Sequence, residues 1–228
     1  KGRTIRIFLP DGSPTSVRIA EVMNWTGQAI RCPRTRLVQA KARRELQRTG
    51  VYVLLGPDPD NPADERAYIG EGDVIWTRIN YHYKEKDFWE FFIAFSSKDE
   101  NLTKSHIRYL ESRMIEEAQS AGRVTLENST QPVTPTLAEP DVADMEVYFD
   151  YMKLLLPTLG VSIFEPSAAE PGTPDESLTL FYLTAKGAKA MGYDTDEGFV
   201  VRKGSTAVKV DRPSAPQRAK HLKANLVQ

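Results

Sequence analysis

The sequence predicts an α+β fold. A small three-stranded antiparallel sheet flanked by helices stands at its centre, with an N-terminal β-hairpin and basic helix before it and a small α+β unit after it. Three observations predict this. Gly50-Val51-Tyr52-Val53-Leu54-Leu55 and Arg66-Ala67-Tyr68-Ile69-Gly70 are short apolar, β-branched or aromatic runs. Between them Gly56-Pro57-Asp58-Pro59-Asp60-Asn61-Pro62 is dense in breakers, so a hairpin is the simplest connection. Residues 88–95 form a third β-prone run, and residues 102–121 and 141–156 carry apolar residues at helical spacing.

In chain order, residues 4–9 alternate as a strand, residues 10–14 turn, and residues 16–20 return, giving a hairpin over 4–22. Residues 35–48 lack Pro and Gly and place Leu37, Val38, Ala42 and Leu46 at helical spacing, which predicts a helix with a basic outer face. The third strand, 88–95, should be buried on both sides. In the helix over 102–121, Leu102, Ile107, Leu110, Met114 and Ala118 should face inward, with Glu111 at the stripe's edge and Gly122 as the stop. Residues 123–128 form a short segment, and a Thr/Pro-rich loop leads to the helix over 141–156, with Val142, Met145, Phe149, Met152 and Leu156 on one side. The implied domains are 1–48, 49–160, an acidic linker 161–177, and 178–228. In the last, residues 178–184 read as a strand, 199–201 and 206–208 as a hairpin, and 215–227 as a basic helix.

Composition bounds the class. The 228 residues carry a formal net charge of −1, with 40% hydrophobic and 27% charged residues, an ordinary globular balance. No apolar run is long enough to span a bilayer, and the single cysteine, Cys32, excludes an internal disulfide, so a reducing, cytoplasmic setting is expected. The absence of an initiator Met suggests a trimmed fragment. Charge is uneven. Residues 1–48 hold eleven Lys and Arg against three acids, a net +8, whereas residues 131–180 hold one Lys against nine acids, a net −8. Such asymmetry suggests a polyanion partner for one face. Arg31, Arg34, Arg36, Arg43 and Arg44 are the candidate phosphate contacts, weighed against a merely solvated helix.

Alternation places Tyr52 and Leu54 on one face of their strand and Val51, Val53 and Leu55 on the other; Tyr68 and Gly70 share a face in the partner strand. The aliphatic face should be the core face, leaving both tyrosines to point away together. Arg78 and His82, at i and i+4, share one face of the next helix. Two Gly-and-Tyr strands followed by an Arg four residues before a His resemble the GIY-YIG nuclease family over about residues 49–128. Gly50-Val51-Tyr52 departs from the family's first motif only by Val for Ile, and Tyr68-Ile69-Gly70 matches the second letter for letter. Residues 188–205 are similar to a small domain of unknown function that follows some GIY-YIG domains, here incomplete.

The resemblance implies a metal-dependent endonuclease that hydrolyses DNA phosphodiester bonds with one bound ion, Mg²⁺ or Mn²⁺. It assigns Tyr52 to activating water, Tyr68 to supporting it, Arg78 to holding the phosphate, His82 to a basic or hydrogen-bonding position, Glu111 to the metal, and Asn128 to bracing the site. The residue types suit those tasks: guanidinium forks match phosphate, and carboxylate oxygen suits hard cations. A free Tyr titrates near pH 10, so a base role needs help from Arg78 or the metal. Singly, each residue has an ordinary structural explanation; their conjunction and order carry the reading. The alternative is a nucleic-acid-binding module that keeps the fold without turnover. His106 reads as structural.

Overall fold

A computed structural model of the chain describes residues 2–61, 64–128, 132–165, 179–185, 188–195, 198–202 and 204–206. The chain divides into two compact units, Lys1–Ser167 and Ala168–Gln228.

The first unit is built on one mixed sheet. Its strands are β1 (Ile5–Phe8), β2 (Arg18–Val22), β3 (Gly27–Pro33), β4 (Gly50–Pro57), β5 (Glu65–Gly72), β6 (Phe91–Ser97) and β7 (Thr125–Leu126). They lie in the order β1-β2-β3-β6-β4-β5-β7, antiparallel throughout except for the β5·β7 pair. The expected three-stranded sheet of β4, β5 and β6 is therefore the middle of a seven-stranded one. The N-terminal hairpin is not a separate extension, because β3 joins it to β6 over seven residue pairs, from Gly27 opposite Ser97 to Pro33 opposite Phe91.

Both faces of the sheet are covered, which explains why β4 is buried from Gly50 to Gly56 and reads as a continuous apolar run. On one face Val51, Val53, Leu55, Ile69, Ile93 and Phe95 meet helices α3 (Lys104–Ala121) and α4 (Glu139–Thr158). Helix α3 starts at a Thr103 capping box completed by His106 and stops at Gly122, whose φ of 60° is left-handed. The structural reading of His106 stands on that cap. All five residues expected to face inward over 102–121 are buried, four from α3 and Leu102 from just before its cap.

The other face is also a core, contrary to the expectation that only the aliphatic face would be. Tyr52, Leu54, Phe92, Ile30 and Cys32 pack there beneath Ile75 and Ile79 of α2 (Ile75–Glu85), together with Trp89, Leu37, Ala40 and Leu46. The expected basic helix over 35–48 is broken into a 3-10 turn (Arg34–Arg36), a short α1 (Leu37–Ala40) and a second 3-10 turn (Arg44–Gln47). Tertiary contacts break it. Leu37, Ala40 and Leu46 must all reach this core, and Gln47 Nε2 turns back to donate to the Lys41 carbonyl at 2.8 Å. Val38 stays 85% exposed.

The expected linker begins later than residue 161, since Val161 and Ile163 are buried in the first core; residues 166–178 lie outside the described residues. The second unit holds β8 (Leu180–Ala185), β9 (Ala188–Thr195) and β10 (Gly198–Val201), an antiparallel sheet with β9 central. Residues 199–201 pair with β9, and Thr206 N–H also bonds to β9, donating to Lys189 O at 2.7 Å. Residues 207–208 and the expected helix over 215–227 lie outside the described residues. Among the described residues, no helix is long and apolar enough to cross a membrane.

Candidate functional site

Three elements bring the Tyr, Arg and His side chains together. In the β4·β5 ladder Tyr52 opposes Gly70 and Leu54 opposes Tyr68, so the two tyrosines are diagonal neighbours on the face beneath α2. Their ring centroids are 6.4 Å apart. Tyr52 has room because residue 70 has no Cβ: one there would lie 2.4 Å from the Tyr52 hydroxyl oxygen. Gly72 serves Arg78 likewise, since a Cβ would lie 2.8 Å from Arg78 Cγ. Helix α2 turns Ile75, Ile79 and His82 inward. The Tyr52 hydroxyl is 2.9 Å from His82 Nε2, and the His82 ring lies 4.7 Å from that of Tyr68. His82 Nδ1 is buried and makes no hydrogen bond.

Burial sets the charge states. Tyr52 is fully buried, and desolvation raises its pKa well above the ordinary phenol value; the neighbouring Tyr68 adds to this, and the Arg78 guanidinium opposes it through charge and hydrogen bonding. Tyr68 is raised by the same burial and opposed by the same Arg78. His82 is pushed down to about 4 by burial, then by the positive charges of Arg78 and Lys86. At neutral pH the pair is therefore a protonated phenol against a neutral imidazole.

Glu111 comes from α3, which packs on the opposite face of the sheet and chiefly against β5. Its carboxylate still acts on both tyrosines, and Arg78 acts on it, so the group gathers around β5. Burial raises Glu111 to about 7; the Glu71 carboxylate adds to the rise, while Arg78, Lys104 and Arg108 oppose it. Glu71 follows Gly70 and so alternates to the α3 face, where Lys104 Nζ reaches it at 2.8 Å and Asp73 at 3.3 Å. A cleft of about 440 Å³ lined by Glu71, Asp73, Thr77, Arg78 and Lys104 opens beside this group.

Among the described residues no group of three or more His, Cys, Asp or Glu is arranged so that it could hold a metal ion. The donor set fits Mg²⁺ or Mn²⁺ all the same. Such ions are held by one or two carboxylates, with water and substrate phosphate completing the shell, and Glu111 and Glu71 are mutually repelling carboxylates that a cation would relieve. Asn128 lies just past β7 and extends the β5 edge: its Oδ1 accepts from Ile69 N–H at 3.0 Å, and its Nδ2 donates to Ile69 O at 2.8 Å. It braces the strand segment next to Tyr68 and stays out of the polar cluster.

The five candidate phosphate arginines separate. Arg34 donates to the carbonyls of Lys86 at 2.7 Å, Tyr83 at 2.9 Å and Trp89 at 3.3 Å, and so satisfies the open C-terminal end of α2. Arg43 binds Glu45 through two nitrogens, at 3.2 and 2.9 Å. Arg31 lies over the Phe91 ring at 3.9 Å. Arg36 and Arg44 are exposed. Two charged residues near the site escaped the sequence reading. Lys86 continues the Arg78, His82 spacing by four more residues, and Glu71 adjoins Gly70; extending each pattern by one step finds them.

Residues 181–228 match the family described as Domain of unknown function (DUF4357), a stretch wholly within the second unit. No curated protein and no solved structure matches the chain.

Proposed function

We propose that the chain is a divalent-metal-dependent endonuclease of the GIY-YIG type that hydrolyses DNA phosphodiester bonds. The observation that supports this most is the convergence of Tyr52, Tyr68, Arg78, His82 and Glu111 around β5, in which the second motif's glycine is required by contact with the first motif's tyrosine. The motif residues thus fit one another sterically, beyond their order in the sequence.

The charge states suggest how a tyrosine with a raised pKa takes part. A standing tyrosinate would be scarce at neutral pH. Tyr52 instead acts as a conduit: its oxygen accepts a proton from the attacking water while its own proton passes to His82 Nε2, 2.9 Å away. The depressed pKa of His82 keeps that lone pair vacant beforehand, and the resulting imidazolium is short-lived. Arg78 holds the phosphate and meets the negative charge that builds on it. A divalent ion held by Glu111, with Glu71 beside it, would supply charge stabilisation at the leaving oxygen.

The test is DNA cleavage in Mn²⁺ and in chelator, by the wild type and by Glu111→Ala. Cleavage only with the metal, and its loss in the variant with the fold retained, is expected. Cleavage by Glu111→Ala at the wild-type rate would remove Glu111 from the mechanism. Binding without cleavage under every metal would put the nucleic-acid-binding module in the enzyme's place.

A further inference from the structure

Arg78, His82 and Lys86 are spaced four residues apart along α2 and its C-terminal cap, so they form one stripe. The two cations flank the buried histidine, one turn on either side. Lys86 is not a surface lysine at large: its side chain is 20% exposed, and Nζ stands over the Tyr68 ring, 4.7 Å from the centroid. Its backbone is fixed at both ends. The Lys86 N–H donates to His82 O at 2.9 Å, and its carbonyl accepts from Arg34 at 2.7 Å. An ammonium has three donors, and the carboxylate that meets this one is Glu127, at 3.3 Å. Glu127 does not depend on Lys86, because Arg66 also holds it, at 3.2 Å. An incoming anion can therefore take Lys86 and leave Glu127 paired.

Resting on the nuclease reading above, we infer that Lys86 forms a second phosphate subsite, which takes a phosphodiester near the scissile one on the same strand, so that the strand runs along α2 from Arg78 to Lys86. Eight residues of helix span about 12 Å. With α2 lying along the duplex axis, at roughly 3.4 Å of axis per phosphate in one strand, that is about three to four linkages. The strand would pass over the Tyr68 ring, with His82 buried beneath it, between its two anchored phosphates.

The test is equilibrium binding in chelator, where turnover cannot intervene. Wild type, Lys86→Gln, Lys86→Arg and Lys84→Gln are titrated with a fluorescent 20-mer DNA duplex over a range of salt. Lys84 is exposed two residues away and controls for loss of charge as such. Losing one phosphate contact lowers the slope of log affinity against log salt by about 0.9. Lys86→Gln should show that loss, Lys86→Arg should restore the slope, and Lys84→Gln should keep it. An unchanged slope in Lys86→Gln, or an equal fall in Lys84→Gln, overturns the subsite while the nuclease reading stands. A wild type that shows no salt-dependent binding overturns both.

Discussion

The Tyr52 hydroxyl fills the space that a side chain at Gly70 would need: a Cβ there would stand 2.4 Å from its oxygen and 2.6 Å from ring carbon Cζ. Tyr52 is fully buried and its hydroxyl is held at His82, so its ring has little freedom to yield. Gly70→Ala should therefore destabilise the first unit by about 1–3 kcal/mol, the usual range for overpacking. Denaturant unfolding checks this, and a Gly70→Ala protein as stable as wild type would show that the contact relaxes freely.

A second prediction concerns pH. His82 falls from an unfolded value of 6.5 to about 4, so between those limits the unfolded chain binds more protons and stability rises with pH. Glu111 rises from 4.5 to about 7, so between those limits the folded chain holds more protons and stability falls with pH. The two slopes oppose each other from about pH 4.5 to 6.5. Relative to wild type, His82→Gln should make the slope in this window more negative, and Glu111→Gln should make it more positive. Denaturation midpoints at several pH values give both, and slopes that do not diverge would mean that neither group is perturbed as described.

A third prediction separates the arginines. Arg34 closes the end of α2 through the Tyr83 and Lys86 carbonyls and reaches on to that of Trp89, whereas Arg36 and Arg44 are exposed. Arg34→Ala should lower stability by about 1.5–3 kcal/mol, the range for hydrogen bonds to a charged group. Neutralising Arg36 and Arg44 together should leave stability within about 0.5 kcal/mol, as for most surface changes. If they contact DNA, the salt slope should fall by up to about two units. Thermal melts beside salt titrations decide; a stable Arg34→Ala protein would contradict the capping role.

What could be read in the sequence follows from locality. Strands β4 and β5, and the helices α3 and α4, have strong periodic patterns bounded by Gly and Pro, and they form close to where the pattern places them. Strand β3 is not legible because Gly-Gln-Ala-Ile-Arg-Cys-Pro shows neither clear alternation nor a long apolar run; its pairing with β2 on one side and β6 on the other makes it a strand. The helix expected over 35–48 failed for the complementary reason: its local spacing was satisfactory, but long-range contacts of Arg34 and Leu46 override it. At the site, the shared face of Tyr52 and Tyr68 and the Arg78–His82 stripe were legible from alternation and helical spacing. The electrostatics were not. Burial is the main cause of both the raised Glu111 and the lowered His82, and it is set by packing across elements that local patterns do not show; the Glu71 carboxylate beside Glu111 is likewise brought there from another element.

The nuclease proposal rests most directly on Arg78, whose guanidinium is placed beside both tyrosines and acts on Glu111. The decisive measurement is single-turnover DNA cleavage in Mn²⁺, beside a binding titration in chelator, for wild type, Arg78→Ala and Arg78→Lys. Losing a contact made mainly in the transition state costs on the order of 10²–10³ in rate and far less in binding. Lysine keeps the charge but not the planar fork, so Arg78→Lys should recover little. The prediction is a fall of that size in both variants, with binding changed by only a few-fold. Cleavage rates within a few-fold of wild type in both would contradict the proposed mechanism.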